Sequence, residues 1–306
     1  MRMTSWLPSA ALVVGVVGAS FSSILIKMLG DVPPLVIAFY RLGLTALILA
    51  PLALVRNRRE LAMVEVKDWV LSALSGLFLA GHFAAWITSL EYTSVASSVV
   101  LVTLQPLFVL AGAFVFFRER STARGLMGVA VALVGAAVIG LGDVGGGRQA
   151  LLGDLLALLG AVLVAGYILV GRSVRQRVGV VPYTLTVYSM SAAALLAASL
   201  AFGLPVRGYG SQQWLLFWLL AIVPTIFGHT LFNFALGHLK AAVVSVAILG
   251  EPVGASILAT LLLHERPTPA QMLGGALILG GLYVFLRFAE AAPVRRDPPK
   301  AEVARA

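Results

Sequence analysis

The chain has 306 residues, 60% of them hydrophobic and only 11% charged, with a formal net charge of +9 and no cysteine. Globular domains run at about 45–50% apolar and about 25% charged, so this excess excludes an ordinary soluble core and makes a membrane protein the default class. Absent cysteine excludes disulfides, thiolate metal sites and a Cys nucleophile. The basic residues are scattered between apolar runs, with no aromatic-interleaved patch, so nucleic acid is not an expected partner.

Taken in chain order, the opening MRMTSWLPSAALVVGVVGAS continues apolar to Lys27, longer than a signal-peptide core, and is read as a retained first helix. Apolar segments of bilayer length then recur, a crossing needing roughly 17–25 residues. Ten spans are predicted: 7–26, 33–55, 69–90, 94–117, 122–141, 151–171, 181–202, 213–236, 241–263 and 269–287. The tail 291–306, rich in Pro, Arg and Ala, is expected to be disordered and cytoplasmic. With both termini cytoplasmic, seventeen of the 22 Lys and Arg fall on the cytoplasmic side. Only Lys27, Arg148, Arg207 and Arg266 fall opposite, and Arg41 lies inside the second span. That asymmetry follows the positive-inside rule.

A repeat runs through the chain. At a constant shift of 146, residues 92–138 align with 238–284 without a gap. Pro106 meets Pro252, Glu119–Arg120 meets Glu265–Arg266, Thr122 meets Thr268, Gly128 meets Gly274 and Gly135 meets Gly281. VPPLVIAFYR (32–41) pairs more weakly with VVPYTLTVYS (180–189). The expected fold is therefore an all-α integral membrane protein, with ten transmembrane helices as two five-helix repeats, 1–145 and 146–290. Five is odd, so the halves enter from opposite faces. Inverted repeats are typical of secondary transporters, with solute handled near the midplane between them.

The candidate site residues follow from depth and polarity. Glu251 lies in mid-span, and an intramembrane carboxylate is a functional residue by default. It could accept a proton or counter an amine; the structural alternative is a bond to a neighbouring helix. Gln105 is its repeat mate, and each precedes a proline, Pro106 or Pro252, that is expected to kink its helix. His82 and Trp86 share a helix face and either line a site for an aromatic or cationic ligand or simply pack. His229 and Asn233 repeat that spacing in the eighth span, with interhelical bonding as the alternative, and His229 is expected near Glu251. Arg41 either binds a carboxylate, pairs with an acid or snorkels. Its neighbour Tyr40 and the repeat mate Tyr188 either line the cavity or pack in the core. Glu119, Arg120, Glu265 and Arg266 close helix ends in a structural or gating role. Gly128, Gly135, Gly274 and Gly281 provide helix-packing faces, within the chain or across a homodimer.

The stretches LQPLFVLAGAFVFFRERSTARGLMGVAVALVGAAVIGL and LGEPVGASILATLLLHERPTPAQMLGGALILGGLYVFL resemble the two repeats of the EamA family of the drug/metabolite transporter superfamily. The resemblance covers about 8–288. It implies a ten-helix permease of a bacterial inner membrane, often an exporter of amino acids or other small metabolites. Multidrug efflux, uptake and exchange of nucleotide-sugars or phosphorylated sugars are the alternatives within the fold. A sensor or scaffold is the alternative outside transport. An enzyme is not expected: His82, His229, His238 and His264 lie on separate segments without ligand spacing, and no nucleophile motif is evident. No cofactor or metal is expected. The expected partners are a small-molecule metabolite and the lipid bilayer.

Overall fold

The computed structural model describes residues 6–93, 98, 101–141, 148–263 and 269–288. Glu265, Arg266, Thr268 and the tail 291–306 lie outside the described residues. Every regular element among the described residues is helical. The first half runs α1 (Leu7–Ser20), α2 (Ser22–Met28), α3 (Pro34–Arg56), α4 (Arg58–Met63), α5 (Val66–Tyr92), α6 (Gln105–Phe117) and α7 (Ala123–Leu141). The second runs α8 (Arg148–Val174), α9 (Val180–Ala201), α10 (Ser211–Leu220), a π-helix (Ala221–Thr230), α11 (Leu231–Leu236), α12 (Ala241–Ala247), a 3-10 turn (Ile248–Gly250), α13 (Glu251–Leu263) and α14 (Pro269–Phe288).

Among the described residues, seven segments are long and apolar enough to cross a membrane. The remaining three of the ten predicted crossings correspond to shorter apolar helices, Gln105–Phe117, Ala123–Val138 and Met272–Phe288. The first of these is shortened because the chain turns at Thr103–Leu104 and restarts at Gln105. Large apolar side chains such as Val13, Leu54, Phe116, Met127, Leu155 and Tyr283 point outward, the pattern of helices solvated by lipid rather than water.

Two cores hold the bundle. The larger joins α1, α3, α5, α8, α9 and the π-helix segment around Leu42, Leu79, Phe83, Val187 and Phe217. The smaller joins α7 and α14 around Val129, Ala132, Ile278 and Phe285, with Val246 and Leu249 packed in. Its helices touch backbone to backbone. A Cβ added at Gly128 would sit 2.6 Å from the Gly281 carbonyl oxygen, and one at Gly135 2.6 Å from that of Gly274. All four glycines of the predicted packing faces thus meet one another inside this chain. Small residues let helices approach this closely in lipid, where dispersion rather than water release drives association.

Ion pairs fasten the helix ends. Arg118 ends α6 in a left-handed conformation (φ 56°). Bonds from its N–H to Phe114 O and from Glu119 N–H to Ala113 O close the turn. Glu119 then accepts from Nε and Nη2 of Arg172, at the end of α8, at 3.3 and 3.2 Å. Arg120 is exposed. Two further carboxylates join the same halves: Asp68 accepts from Arg177 at 2.5 Å in an ion pair, and Glu60 accepts from the Gly179 backbone N–H at 2.5 Å. The acids sit in the first half and the donors in the second.

Two stability outcomes follow. Gly128→Ala and Gly281→Ala overpack a backbone contact and are expected to cost about 1–3 kcal/mol each. Gly280→Ala, where nothing lies within 4 Å of the new Cβ, is expected to leave the thermal midpoint in lipid unchanged. Glu119→Ala strands Arg172, whose side chain is only 10% exposed, and is expected to cost about 3 kcal/mol. Asp68→Ala leaves Arg177, 46% exposed and hydrated, and is expected to cost only about 1 kcal/mol by the same melting assay.

Candidate functional site

The polar midpoints of the fourth and ninth predicted spans are built differently from the kinks that proline alone implies. Pro106 stands in the first turn of α6 and Pro252 in the first turn of α13. At that position a missing N–H breaks no helical bond. The interruption lies just before each proline, at the turn through Leu104 and at the 3-10 turn Ile248–Gly250. Gln105 and Glu251 therefore each begin a helix in the interior of the bundle. A helix N-terminus favours negative charge, which suits a carboxylate at Glu251.

Both residues line one cavity of about 60 Å³, together with Arg41, His82, Trp86 and His229. The predicted residues that meet here come from α3, α5, α6, the π-helix and α13. Ser22, Thr103, Phe83 and Phe232 complete the polar and aromatic wall.

Arg41 is fully buried. Its Nε donates to Thr225 Oγ1 at 2.8 Å, Nη1 to Ser22 Oγ at 2.7 Å, and Nη2 to the Pro224 carbonyl at 3.4 Å. The guanidinium carbon stands 4.3 Å from the centroid of the Phe83 ring, a cation–π contact. None of these partners is an acid. Among the described residues Arg41 and Glu251 form no ion pair, although both face the cavity. The Glu251 backbone carbonyl accepts from Ser20 Oγ at 3.3 Å, tying the helix start to α1.

The rings are placed by polar contacts too. His82 Nδ1–H donates to the Gly160 carbonyl of α8 at 2.9 Å, which leaves Nε2 of the neutral ring as an acceptor. Its ring lies nearly parallel to that of Trp86, at 6.0 Å and 6°. His229 meets Phe83 edge-on at 5.3 Å. Gln105 Nε2 donates to the Ser245 carbonyl at 3.0 Å. Among the described residues, three buried atoms on this wall have no hydrogen-bond partner: Trp86 Nε1, Gln105 Oε1 and His229 Nδ1. Buried polar atoms are normally satisfied, so the wall presents an indole donor, an amide acceptor and a ring nitrogen whose role its tautomer sets. His229 and Glu251 share the cavity without bonding to each other.

Three predicted residues sit elsewhere. The Tyr40 hydroxyl donates to the Val206 carbonyl at 2.6 Å, and its ring stacks on Phe217 at 4.4 Å with Trp214 and Tyr209 edge-on. It anchors the 202–210 loop to α3. Tyr188 is buried with its hydroxyl 3.0 Å from Thr230 Oγ1. Asn233 lies behind the cavity wall, donating to the Tyr167 hydroxyl at 2.5 Å and the His229 carbonyl at 2.9 Å. Arg175 Nε in turn donates to the Asn233 carbonyl at 2.8 Å. Among the described residues no group of three or more His, Asp or Glu is placed to hold a metal ion.

The model of the EamA-like transporter family matches residues 7–141 and, a second time, 151–287. An uncharacterized transporter of Archaeoglobus fulgidus is 27% identical over 259 residues, covering 83% of this chain and 89% of the relative. A second uncharacterized transporter of that organism is 25% identical over 206 residues, covering 67% and 72%. The uncharacterized transporter YxxF of Bacillus subtilis is 23% identical over 222 residues, covering 72% and 70%. A protein of known crystal structure superposes with a TM-score of 0.76 at 22% identity, over 92% of this chain and 98% of the other, which shows a shared fold.

Proposed function

Because the chain belongs to the EamA-like transporter family and is a multi-pass membrane protein, we propose that it is a secondary permease whose cavity takes small zwitterionic metabolites, amino acids among them. The observation that carries this reading is a buried guanidinium and a carboxylate that face one cavity without pairing. Isolated charges in a low-dielectric interior are expensive. A solute with its carboxylate at Arg41 and its ammonium at Glu251 satisfies both. The faces of His82 and Trp86 offer an apolar wall for its side chain. A phosphorylated sugar, bearing about two negative charges and no cation, would meet only one cavity cation and the Glu251 carboxylate.

Ten helices in two inverted halves are the architecture that this function requires. The packing supports it. Exchanging the halves turns the α5–α8 contact into that of the π-helix with α1, and leaves α3–α9, α6–α12 and α7–α14 each paired with itself. All five contacts are present, and the family model fits each half once. A cavity of about 60 Å³ holds only a few waters, a water needing about 10–15 Å³ on this measure. A metabolite enters only when the walls part, the motion that alternating access supplies. The lysine and arginine asymmetry supports cytoplasmic termini in a bacterial inner membrane. Net movement is outward in this reading, with Glu251 as the proton acceptor of the coupled cycle.

The test is flux in proteoliposomes with a panel of labelled amino acids and their decarboxylated amines. Arg41→Gln is expected to lower zwitterion flux at least tenfold while sparing the amine, since about 1.4 kcal/mol of lost pairing is a tenfold effect. Glu251→Gln is expected to abolish accumulation driven by a pH gradient while solute-for-solute exchange persists. A wild type that moves neither class above empty liposomes overturns the zwitterion reading.

A further inference from the structure

The π-helix Ala221–Thr230 explains why Arg41 is held as it is. In this register an N–H reaches back five residues rather than four, and such turns are rare. Pro224 has no N–H to give, so a carbonyl behind it needs another donor. The Thr225 hydroxyl donates to the Leu220 carbonyl at 2.7 Å, and the Thr230 hydroxyl to the Thr225 carbonyl at 3.1 Å. Both contacts span five residues. The Thr45 hydroxyl, one turn beyond Arg41 on α3, donates to the Arg41 carbonyl of its own helix at 2.7 Å, with the Ala221 carbonyl of the π-helix 3.1 Å away.

Thr225 is fully buried and has one hydroxyl proton, which it spends on Leu220. Its oxygen is therefore an acceptor for Arg41, whose nitrogens can only donate. The contact at Nε has one possible polarity. With Nε on Thr225, Nη1 on Ser22 and Nη2 on Pro224 O, three of the five guanidinium N–H groups are used. One N–H remains on each terminal nitrogen. N–H groups on a guanidinium are charge-assisted donors suited to a carboxylate's oxygens.

We propose that Thr225 is a positioning residue for carboxylate recognition: the π-helical turn orients the Arg41 guanidinium through the Thr225 hydroxyl, so that its two unspent N–H groups form an anion site in the cavity. The inference rests on the cavity being the solute site, but its test needs no transport.

The full chain, labelled with 15N-arginine, is placed in lipid nanodiscs, and the Arg41 Nε signal is assigned by its loss in Arg41→Lys. Sodium acetate is titrated in, with acetamide as the uncharged counterpart. The wild-type signal is expected to shift and saturate with acetate and to ignore acetamide. Thr225→Val, nearly isosteric but without the hydroxyl, is expected to weaken the acetate response about tenfold or more, the scale of a lost charge-assisted hydrogen bond. Thr225→Ser is expected to stay within about twofold of wild type, because it restores the same acceptor. If Thr225→Val does not fold, Thr225→Cys, a weak acceptor of similar size, is expected to weaken the response in the same direction.

A Val variant with native helicity that answers acetate as the wild type does overturns the proposal. So does a folded Ser variant as weak as Val, or a wild type that treats acetate and acetamide alike. Acetate binding that follows this order in a protein with no flux would overturn the permease reading and leave the positioning role standing.

Discussion

Much of the bundle is arranged around a single guanidinium that is held by hydroxyls, a carbonyl and a ring rather than by an acid in contact with it. Placing Arg41 in the interior of an apolar chain carries a penalty that hydrogen bonds must offset. Its partners arrive from three directions: Ser22 from α2, Thr225 and the Pro224 carbonyl from the π-helix, and the Phe83 face from α5. Satisfying one side chain thus fixes the relative placement of four segments. The π-register has a physical reason in this arrangement. Pro224 has no N–H to give the Leu220 carbonyl four residues back, and the Thr225 hydroxyl that meets this carbonyl is the one whose oxygen accepts from Arg41.

The other pole of the cavity is built by a different device. Helices α6 and α13 start inside the bundle rather than at its surface, each one residue ahead of a proline. Interior starts expose polar backbone that lipid cannot satisfy, so they are tolerated only where protein or a wet cavity meets them. Here the meeting groups are specific. The Ser245 carbonyl takes Gln105 Nε2, and Ser20 Oγ reaches the Glu251 carbonyl oxygen. The carboxylate of Glu251 is left to the cavity. A positive wall built from a widened helix and a negative wall built from a helix start face each other across a few waters' worth of space.

The sequence disclosed the negative wall better than the positive one. Gln105 and Glu251 were legible because a gap-free repeat aligned them and because a carboxylate inside a 23-residue apolar run is conspicuous. Arg41 was legible for the same reason. Its holder was not. Thr225 is a small hydroxyl residue in an apolar segment, and such residues commonly bond their own helix; nothing in the string marks a π-turn. Tyr40 and Tyr188 illustrate a different limit. Repeat alignment placed them at matching depths, but depth does not say which face of a helix meets the cavity, and the structure turns both away from it. The proline reading erred in mechanism rather than place. The breaks precede Pro106 and Pro252, and proline is the residue that a restarting helix accepts. Arg172, a loop cation in the charge count, is instead nearly buried against Glu119, a pairing that only the packing of α6 on α8 determines.

The two cores differ in what they allow to move. In α7 and α14, glycine backbones touch at Gly128–Gly281 and Gly135–Gly274, with no side chains between them to slide or change rotamer. Such a contact has one good geometry, so that pair behaves as a rigid block. The larger core is joined across the cavity by hydrogen bonds whose donors and acceptors sit on different helices, and by carboxylate contacts that bridge the two halves at one end. Hydrogen bonds and ion pairs can be exchanged for water or solute at small net change, whereas a glycine seam cannot. The cavity is lined mostly by helices of the larger core, which contacts of the exchangeable kind hold together. The Glu119–Arg172, Asp68–Arg177 and Glu60–Gly179 contacts are of that same kind. Arg41 and Glu251 face that same cavity with no ion pair between them, and the guanidinium is held instead by Thr225, Ser22 and the Pro224 carbonyl, so the base and the acid interact across the cavity rather than in contact.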